Sequence, residues 1–408
     1  MNKKILYISY DGMTDPLGQS QVLPYLAGLS SKGYEFTILS FEKPDRFARE
    51  SEIIRRITQQ HGITWVPLTF TSRPPVLSKI YDRWRLKQKA KELFKARRFD
   101  MIHCRSYVAA EVGLMLKKKY GTKLLFDMRG FWADEKVDSG QWRQNNFFFR
   151  KVYKHYKQLE REFLFASDGI ITLTTAAKKE LLSKKEYSNL QIDVIPCCAD
   201  LDHFDYRRLD KAEIDRVRTE LGIPPSKKII TYLGSLGGWY MTNEMFGFFK
   251  RLTVKYPDYT MLLMTKDEPT HVQQQAAAMG IDASQLVTRY SGRKELPYYI
   301  AQSDCSIFFI RPTYSKIASS PTKHAELMGM GVPVICNSIG DTGHIIDETG
   351  TGAVIKEFTN AEYDRVITQM DSLLSISKEK IRDAAMQYFD LEKGVADYWG
   401  IYKRILES

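Results

Sequence analysis

The sequence predicts an α/β protein made of two doubly wound, Rossmann-like parallel-sheet domains. Three observations lead there. Short apolar runs of strand length alternate with helical patterns along the chain, as parallel strands covered on both faces require. The rhythm stops near residue 200 and begins again, and 408 residues are too many for one typical core. No repeat of roughly 20–50 residues recurs, which excludes a solenoid.

In the first half the strand candidates are KILYISY, EFTILSF, ITWVPL, DMIHC, KLLFDMRG, GIITLT and DVIPC. A polar loop, DGMTDPLGQSQ, separates the first of them from the helical VLPYLAGLSSKG; AAEVGLMLKKKYG and FFRKVYKHYKQLEREFLFAS are helical too. In the second half KIITYLG, YTMLLMT, LVTRYSG, CSIFFIR, PVICN and GAVIK are strands, with helices between them. The boundary is expected within CCADLDHFDYRRLDKAEID, giving domains 1–203 and 204–386. The aromatic-rich terminal helix, 387–408, is long enough to pack back on the first domain. Facing domains of this kind would bring both sets of strand C-terminal ends to a shared cleft.

Composition narrows the class. With 43% hydrophobic and 27% charged residues the chain is of ordinary globular type. No apolar run is long enough for a membrane span, and the start, MNKKILYISYDGM, turns polar too soon for a signal peptide. Five cysteines without a C-x-x-C suggest neither a disulfide framework nor a zinc site, so a cytoplasmic protein is expected. The net charge of +11 is uneven: residues 1–200 carry 35 basic and 22 acidic side chains, the rest 25 and 27. Residues 73–98 hold ten basic residues and two acidic ones. This half is expected to meet an anionic partner: a membrane surface, a phosphate-bearing substrate or, least of all, nucleic acid, for which no binding motif is present. A solvated helix would account for residues 73–98 equally well.

G-x-G-x-x-G after the first strand, G-x-x-x-x-G-K-[ST], H-E-x-x-H and G-x-S-x-G are all missing, which argues against a nicotinamide enzyme, a P-loop ATPase, a zinc protease and an α/β-hydrolase. Strand-end loops remain. In SSPTKHAELMGMGVPVICN, Ser320 is the expected N-cap and Pro321 the first helical residue. Lys323 then lies in the first turn, where the dipole favours an anion, so a phosphate bound there would explain it. Glu326, on the same face, could accept hydrogen bonds from ribose hydroxyls. The alternative is a surface Lys323–Glu326 pair. Gly234, Gly237 and Gly238 end another strand and could let amides approach a phosphate. Lys266 and Arg293 also follow strands, so a pyrophosphate site is plausible. In FDMRGFWADEKVD, Asp127, Arg129 and Trp132 read as a sugar-handling loop or as a structural Asp–Arg pair. His103 reads as a core histidine or, with Arg105, as part of an acceptor site. Gly18 and Gln19 precede a helix and form a second candidate anion cradle.

Together these segments resemble retaining glycosyltransferases of the GT-B fold, family 4, which build bacterial surface polysaccharides and glycans. The resemblance rests on ILYISYDGMTDPLGQSQVLPYLAGLSSKGYEFTILS, SDGIITLTTAAKKEL, VIPCCADLDHF and, most specifically, SPTKHAELMGMGVPVICN. It implies a metal-independent hexosyltransferase without a cofactor. It further implies a nucleotide-sugar donor in the C-terminal domain and a glycan or polyprenyl-diphosphate-linked acceptor in the N-terminal one, with peripheral contact at the inner membrane face. By the same resemblance Glu326 binds the donor ribose, with Ser319, Ser320, Pro321, Thr322 and Lys323 beside it. Gly234 and Ser235 lie at the phosphate loop, and Gly18 and Gln19 face the diphosphate. Asp127 would orient or deprotonate the acceptor hydroxyl, with Arg129 holding it or contacting acceptor phosphate. The chain departs from the family in four respects. Cys197-Cys198 replace Asn-Gly, Ala318 replaces a glutamate near the donor sugar, Asp127 replaces a histidine, and SLGGWYM lacks the Arg and Lys that follow the phosphate-loop glycine. Lys266, Arg293 and Lys323 are therefore the candidates for neutralising the diphosphate. An epimerase or hydrolase of the same fold, or a non-catalytic nucleotide-sugar-binding subunit, would share the donor pocket.

Overall fold

The computed structural model describes residues 2–407 and divides into two compact units. One comprises the residues up to Pro196 together with those from Leu391 on; the other is Cys197–Asp390. Seven parallel strands build the first unit: β1 Lys3–Ser9, β2 Tyr34–Glu42, β3 Thr64–Thr69, β4 Met101–Arg105, β5 Lys123–Asp127, β6 Gly169–Thr172 and β7 Ile192–Val194. Their order is β3-β2-β1-β4-β5-β6-β7. The second unit has six: β8 Lys228–Leu233, β9 Tyr259–Met264, β10 Leu286–Arg289, β11 Cys305–Phe308, β12 Val334–Asn337 and β13 Gly352–Ile355, in the order β10-β9-β8-β11-β12-β13. Both sheets are wound in two directions from a central strand, so each has a switch point, at β1/β4 and at β8/β11. Ligands collect beyond the strand ends at such points.

The strands form where the apolar runs lie because helices cover both sheet faces. Ile5, Leu6, Ile8, Ile230, Leu262 and Ile335 are all fully buried. One long helix, Pro44–Gln60, lies outside the elements expected from the sequence; only Ile54 and Thr58 along it are buried, so its apolar signal is faint.

The chain leaves the first unit earlier than residue 203. Leu201 and Phe204 belong to the core of the second unit, and Ala199 forms a bridge with Asp390. Arg382 fixes this crossing: its guanidinium donates to the carbonyls of Leu201, Phe204 and Gly329 at 2.8 Å and pairs with Asp205 at 3.1 Å. The last helix, Leu391–Glu407, begins four residues after the expected 387 and joins the first unit. It buries Val395, Tyr398, Ile401, Tyr402 and Ile405, spaced at three and four residues as one helical face. That face lies on helix Leu23–Ser30, where a Cβ on Gly28 would come within 2.8 Å of Val395.

Candidate functional site

In the second unit, β8 is followed by Gly234 in a backbone conformation, φ +113°, that suits glycine. The turn beyond it is built from within. Asp267 accepts from the Leu236 amide at 2.6 Å, and Thr242 Oγ1 accepts from the Gly237 amide at 2.8 Å. Tyr232 Oη donates to the Ser235 carbonyl at 2.6 Å. With the Gly234 amide bound to the Met264 carbonyl at 2.9 Å, three amides of the glycine-rich turn are already occupied within the unit, which narrows the phosphate contacts expected of it.

The loop after β11 leads into helix Thr322–Gly329. Its N-cap is Pro321, not Ser320, and no side chain caps it. Ser320 Oγ accepts instead from the Cys197 amide, 3.1 Å away, and so anchors the loop to the start of the unit. The first-turn amides keep their positive end without a side-chain acceptor.

Lys323 points from this turn back to Gly234. Its Nζ would stand 2.9 Å from a Cβ on Gly234, so a side chain there would have to displace the ammonium as well as take up a φ of +113°. The ammonium is buried, 3.5 Å from the Tyr240 ring centre and 4.2 Å from that of Tyr232, and no hydrogen-bond acceptor reaches it. Burial drives its pKa well below the ordinary value, with the Glu326 carboxylate opposing. The two ring faces offset part of the cost of keeping a charge there.

Glu326 is not Lys323's surface partner. It is buried, and its Oε1 accepts from Arg293 at 3.0 Å. Burial raises its pKa while Arg293, Lys323 and His203 pull it down. Arg293 lies over Phe204, 5.2 Å from the ring centre, and its carbonyl meets His203 Nε2 at 2.9 Å. The structure therefore brings together Gly234, Lys323, Glu326 and Arg293. Lys266 stays apart: it is exposed, over Tyr290, and no contact ties it to Lys323 or Glu326. Sequence reasoning missed Lys316, also buried, with its ammonium 3.9 Å from the Trp239 ring centre. Its one signal is that it is a basic residue in the loop between β11 and the helix of Lys323.

In the first unit, Ser9, Arg105 and Asp127 share one register row at the ends of β1, β4 and β5. Asp127 is 1% exposed, and its Oδ2 accepts from Tyr398 Oη at 3.0 Å. His103 Nε2 stands 3.5 Å from the same oxygen, while His103 Nδ1 meets Tyr402 Oη at 2.6 Å. A neutral ring protonated on Nε2 fits both contacts, and burial does lower the His103 pKa. Burial opposes ionisation of Asp127, but Arg129, His103 and Arg105 outweigh it and hold its pKa low. Arg129, at φ +57°, keeps its guanidinium 3.8 Å from Asp127. Arg105 is buried, 3.7 Å from Asp11, with two guanidinium nitrogens lacking a hydrogen-bond acceptor.

Oδ2 of Asp127 is thus engaged by the last helix and lies near His103, while its buried Oδ1 has no hydrogen-bond partner. Trp132 packs in an aromatic cluster with Tyr107, Trp142 and Tyr156, so part of its surface serves packing. Gly18 fits tightly against the preceding loop: a Cβ there would lie 2.2 Å from the Gly12 carbonyl oxygen. Gln19 Nε2 reaches the Thr14 carbonyl at 3.4 Å. Among the described residues no group of three His, Cys, Asp or Glu is placed to hold a metal ion.

Comparison with known proteins fits this geometry. The model named Glycosyltransferase Family 4 matches residues 19–203, and the model named Glycosyl transferases group 1 matches residues 213–386. No curated protein matches the sequence. Among solved structures, a glycosyltransferase from Rickettsia africae aligns with a TM-score of 0.72 at 17% identity, over 100% of this chain and 99% of that one. Sucrose-phosphate synthase from Thermosynechococcus elongatus aligns at 0.75 and 14%, over 100% of both chains. Anabaena Alr3699/HepE, solved with UDP and glucose, aligns at 0.70 and 14%, over 98% of this chain and 100% of that one. With the two models spanning most of the chain and the fold shared from end to end, the protein belongs to the family 4 glycosyltransferases of the GT-B fold.

Proposed function

We propose that the protein moves a sugar from a nucleotide-diphosphate sugar to a hydroxyl of a glycan or lipid-linked acceptor, with retention of configuration, in the assembly of cell-surface glycans. The carrying observation is the buried Lys323 ammonium, which lacks a hydrogen-bond acceptor and lies between the Gly234 turn and an uncapped helix start. A diphosphate would supply the missing acceptor and meet the helix dipole. Glu326, held by Arg293, is the carboxylate for the ribose hydroxyls. The UDP bound to the Anabaena relative supports a nucleotide donor for the second unit.

The chemistry follows from these roles. The acceptor oxygen bonds to the anomeric carbon as the carbon–phosphate oxygen bond breaks. The hydroxyl proton passes to the departing phosphate, and Lys323 with the first-turn amides stabilises the charge that develops there. Attack from the face the phosphate leaves gives retention without a protein nucleophile. In the first unit, Asp127 and His103 act as positioning residues, and Arg105 keeps two guanidinium nitrogens without an acceptor beside its contact to Asp11. An acceptor carrying phosphate fits those donors.

The test incubates the protein with UDP-, GDP-, dTDP- and ADP-sugars, with and without a polyprenyl-diphosphate-linked acceptor, and assigns the anomeric configuration of the product by NMR. An acceptor-dependent product of retained configuration is expected. Inversion contradicts retention, and an epimer or free sugar formed without acceptor favours the epimerase or hydrolase reading. A donor that binds and never turns over points to a binding subunit.

A further inference from the structure

Glu326 is aimed from outside its own helix. Its Oε1 accepts from Arg293, yet Arg293 sits in an exposed loop after β10 and its side chain is 37% exposed. An arginine so placed exchanges its partner for water at little cost unless something holds it. One segment holds it in two ways. The Phe204 ring lies under the guanidinium, its centre 5.2 Å away, and His203 Nε2 meets the Arg293 carbonyl at 2.9 Å.

A carbonyl oxygen only accepts, so this contact needs a proton on His203 Nε2. The bond selects that tautomer, and a doubly protonated ring makes it as well. The imidazole is steered by Phe204, whose ring it meets edge-on with centres 4.9 Å apart. Its backbone is fixed from both sides. Asp200 Oδ1 accepts from the amides of Asp202 and His203 at 3.1 and 3.0 Å. Arg382 holds the carbonyls of Leu201 and Phe204, and Phe204 is fully buried. The same guanidinium reaches the carbonyl of Gly329, the last residue of the helix that carries Glu326. Residues 200–204 thus grip the end of that helix and, through His203, the arginine on its carboxylate.

A carboxylate binds hydroxyls well only when its own orientation is locked by the groups behind it. Pinning one oxygen of Glu326 with Arg293 fixes the direction of the other. We infer that His203 is a positioning residue of the donor site: through Arg293 it keeps Glu326 turned toward the hydroxyls of the nucleotide. His203 acts through the arginine rather than on the donor itself. The inference rests on the reading of Glu326 as the ribose carboxylate and adds the residue that orients it.

The test titrates UDP, GDP, dTDP and ADP calorimetrically into the full chain and into His203 and Arg293 variants. His203→Phe keeps the ring contact and removes the donor, whereas His203→Gln returns an N–H near the place of Nε2. With the nucleotide that the wild type binds, His203→Phe should weaken binding about threefold to tenfold, the range for one neutral hydrogen bond. His203→Gln should restore it. Beside Arg293→Met, His203→Phe should cause no further loss, as expected of residues that act through one group. His203 is only partly buried, so the thermal midpoint should not move. Equal binding by the wild type and His203→Phe overturns the inference and leaves the donor site standing. His203→Gln as weak as His203→Phe, a full effect beside Arg293→Met, or a loss that tracks a lowered midpoint overturns it too. A wild type that binds none of the four removes the donor reading itself, and this inference with it.

Discussion

A lysine buried against two tyrosine rings, with no acceptor in reach, destabilises the free protein that holds it. Lys323→Met keeps the length of the side chain and removes the charge. Its thermal stability should therefore equal that of the wild type or exceed it by about 1–2 kcal/mol; a loss of several kcal/mol in thermal denaturation would show that Lys323 serves the fold. The pH dependence has a definite sign. Its folded pKa lies below the ordinary 10.5, so between those two values the unfolded chain binds the extra proton. Wild-type stability should rise relative to Lys323→Met as pH increases through that window, and the two curves should run parallel below it. A relative fall would mean that the ammonium is paired in the folded state.

The C-terminal helix shows what an element does for its neighbours. Tyr398 and Tyr402 reach Asp127 and His103 from a segment almost 300 residues away in sequence, as the separations of 271 and 299 residues record. Tyr398→Phe leaves a buried carboxylate without its donor and should cost the first unit about 1–3 kcal/mol in chemical denaturation. An unchanged midpoint would mean that water or Arg129 takes over. The strands were legible in the sequence because sheets buried on both faces write continuous apolar runs, and all of the runs named became strands. The helix start at Pro321 was not legible, since Ser320 has the right chemistry for a cap. What diverts its hydroxyl is an amide 123 residues earlier in the chain, at Cys197. Likewise Arg293–Glu326 and Lys323–Tyr240 pairings depend on which strand ends meet, and residue spacing along one segment does not record that.

At the scale of the whole molecule, chemistry and charge are divided between the two units. The second holds Lys323, Glu326 and Arg293 at its switch point. The first holds Arg105 and Arg129, in line with the excess of 35 basic over 22 acidic side chains in residues 1–200. The donor site is the central claim, and calorimetric titration of UDP, GDP, dTDP and ADP into the wild type, Lys323→Met and Glu326→Ala tests it most directly. One nucleotide series should bind, and each substitution should weaken it about tenfold to a hundredfold, the range for losing a charge-assisted hydrogen bond. Binding of equal strength in all three proteins would contradict the assignment, and would leave Lys323 a buried lysine without a ligand.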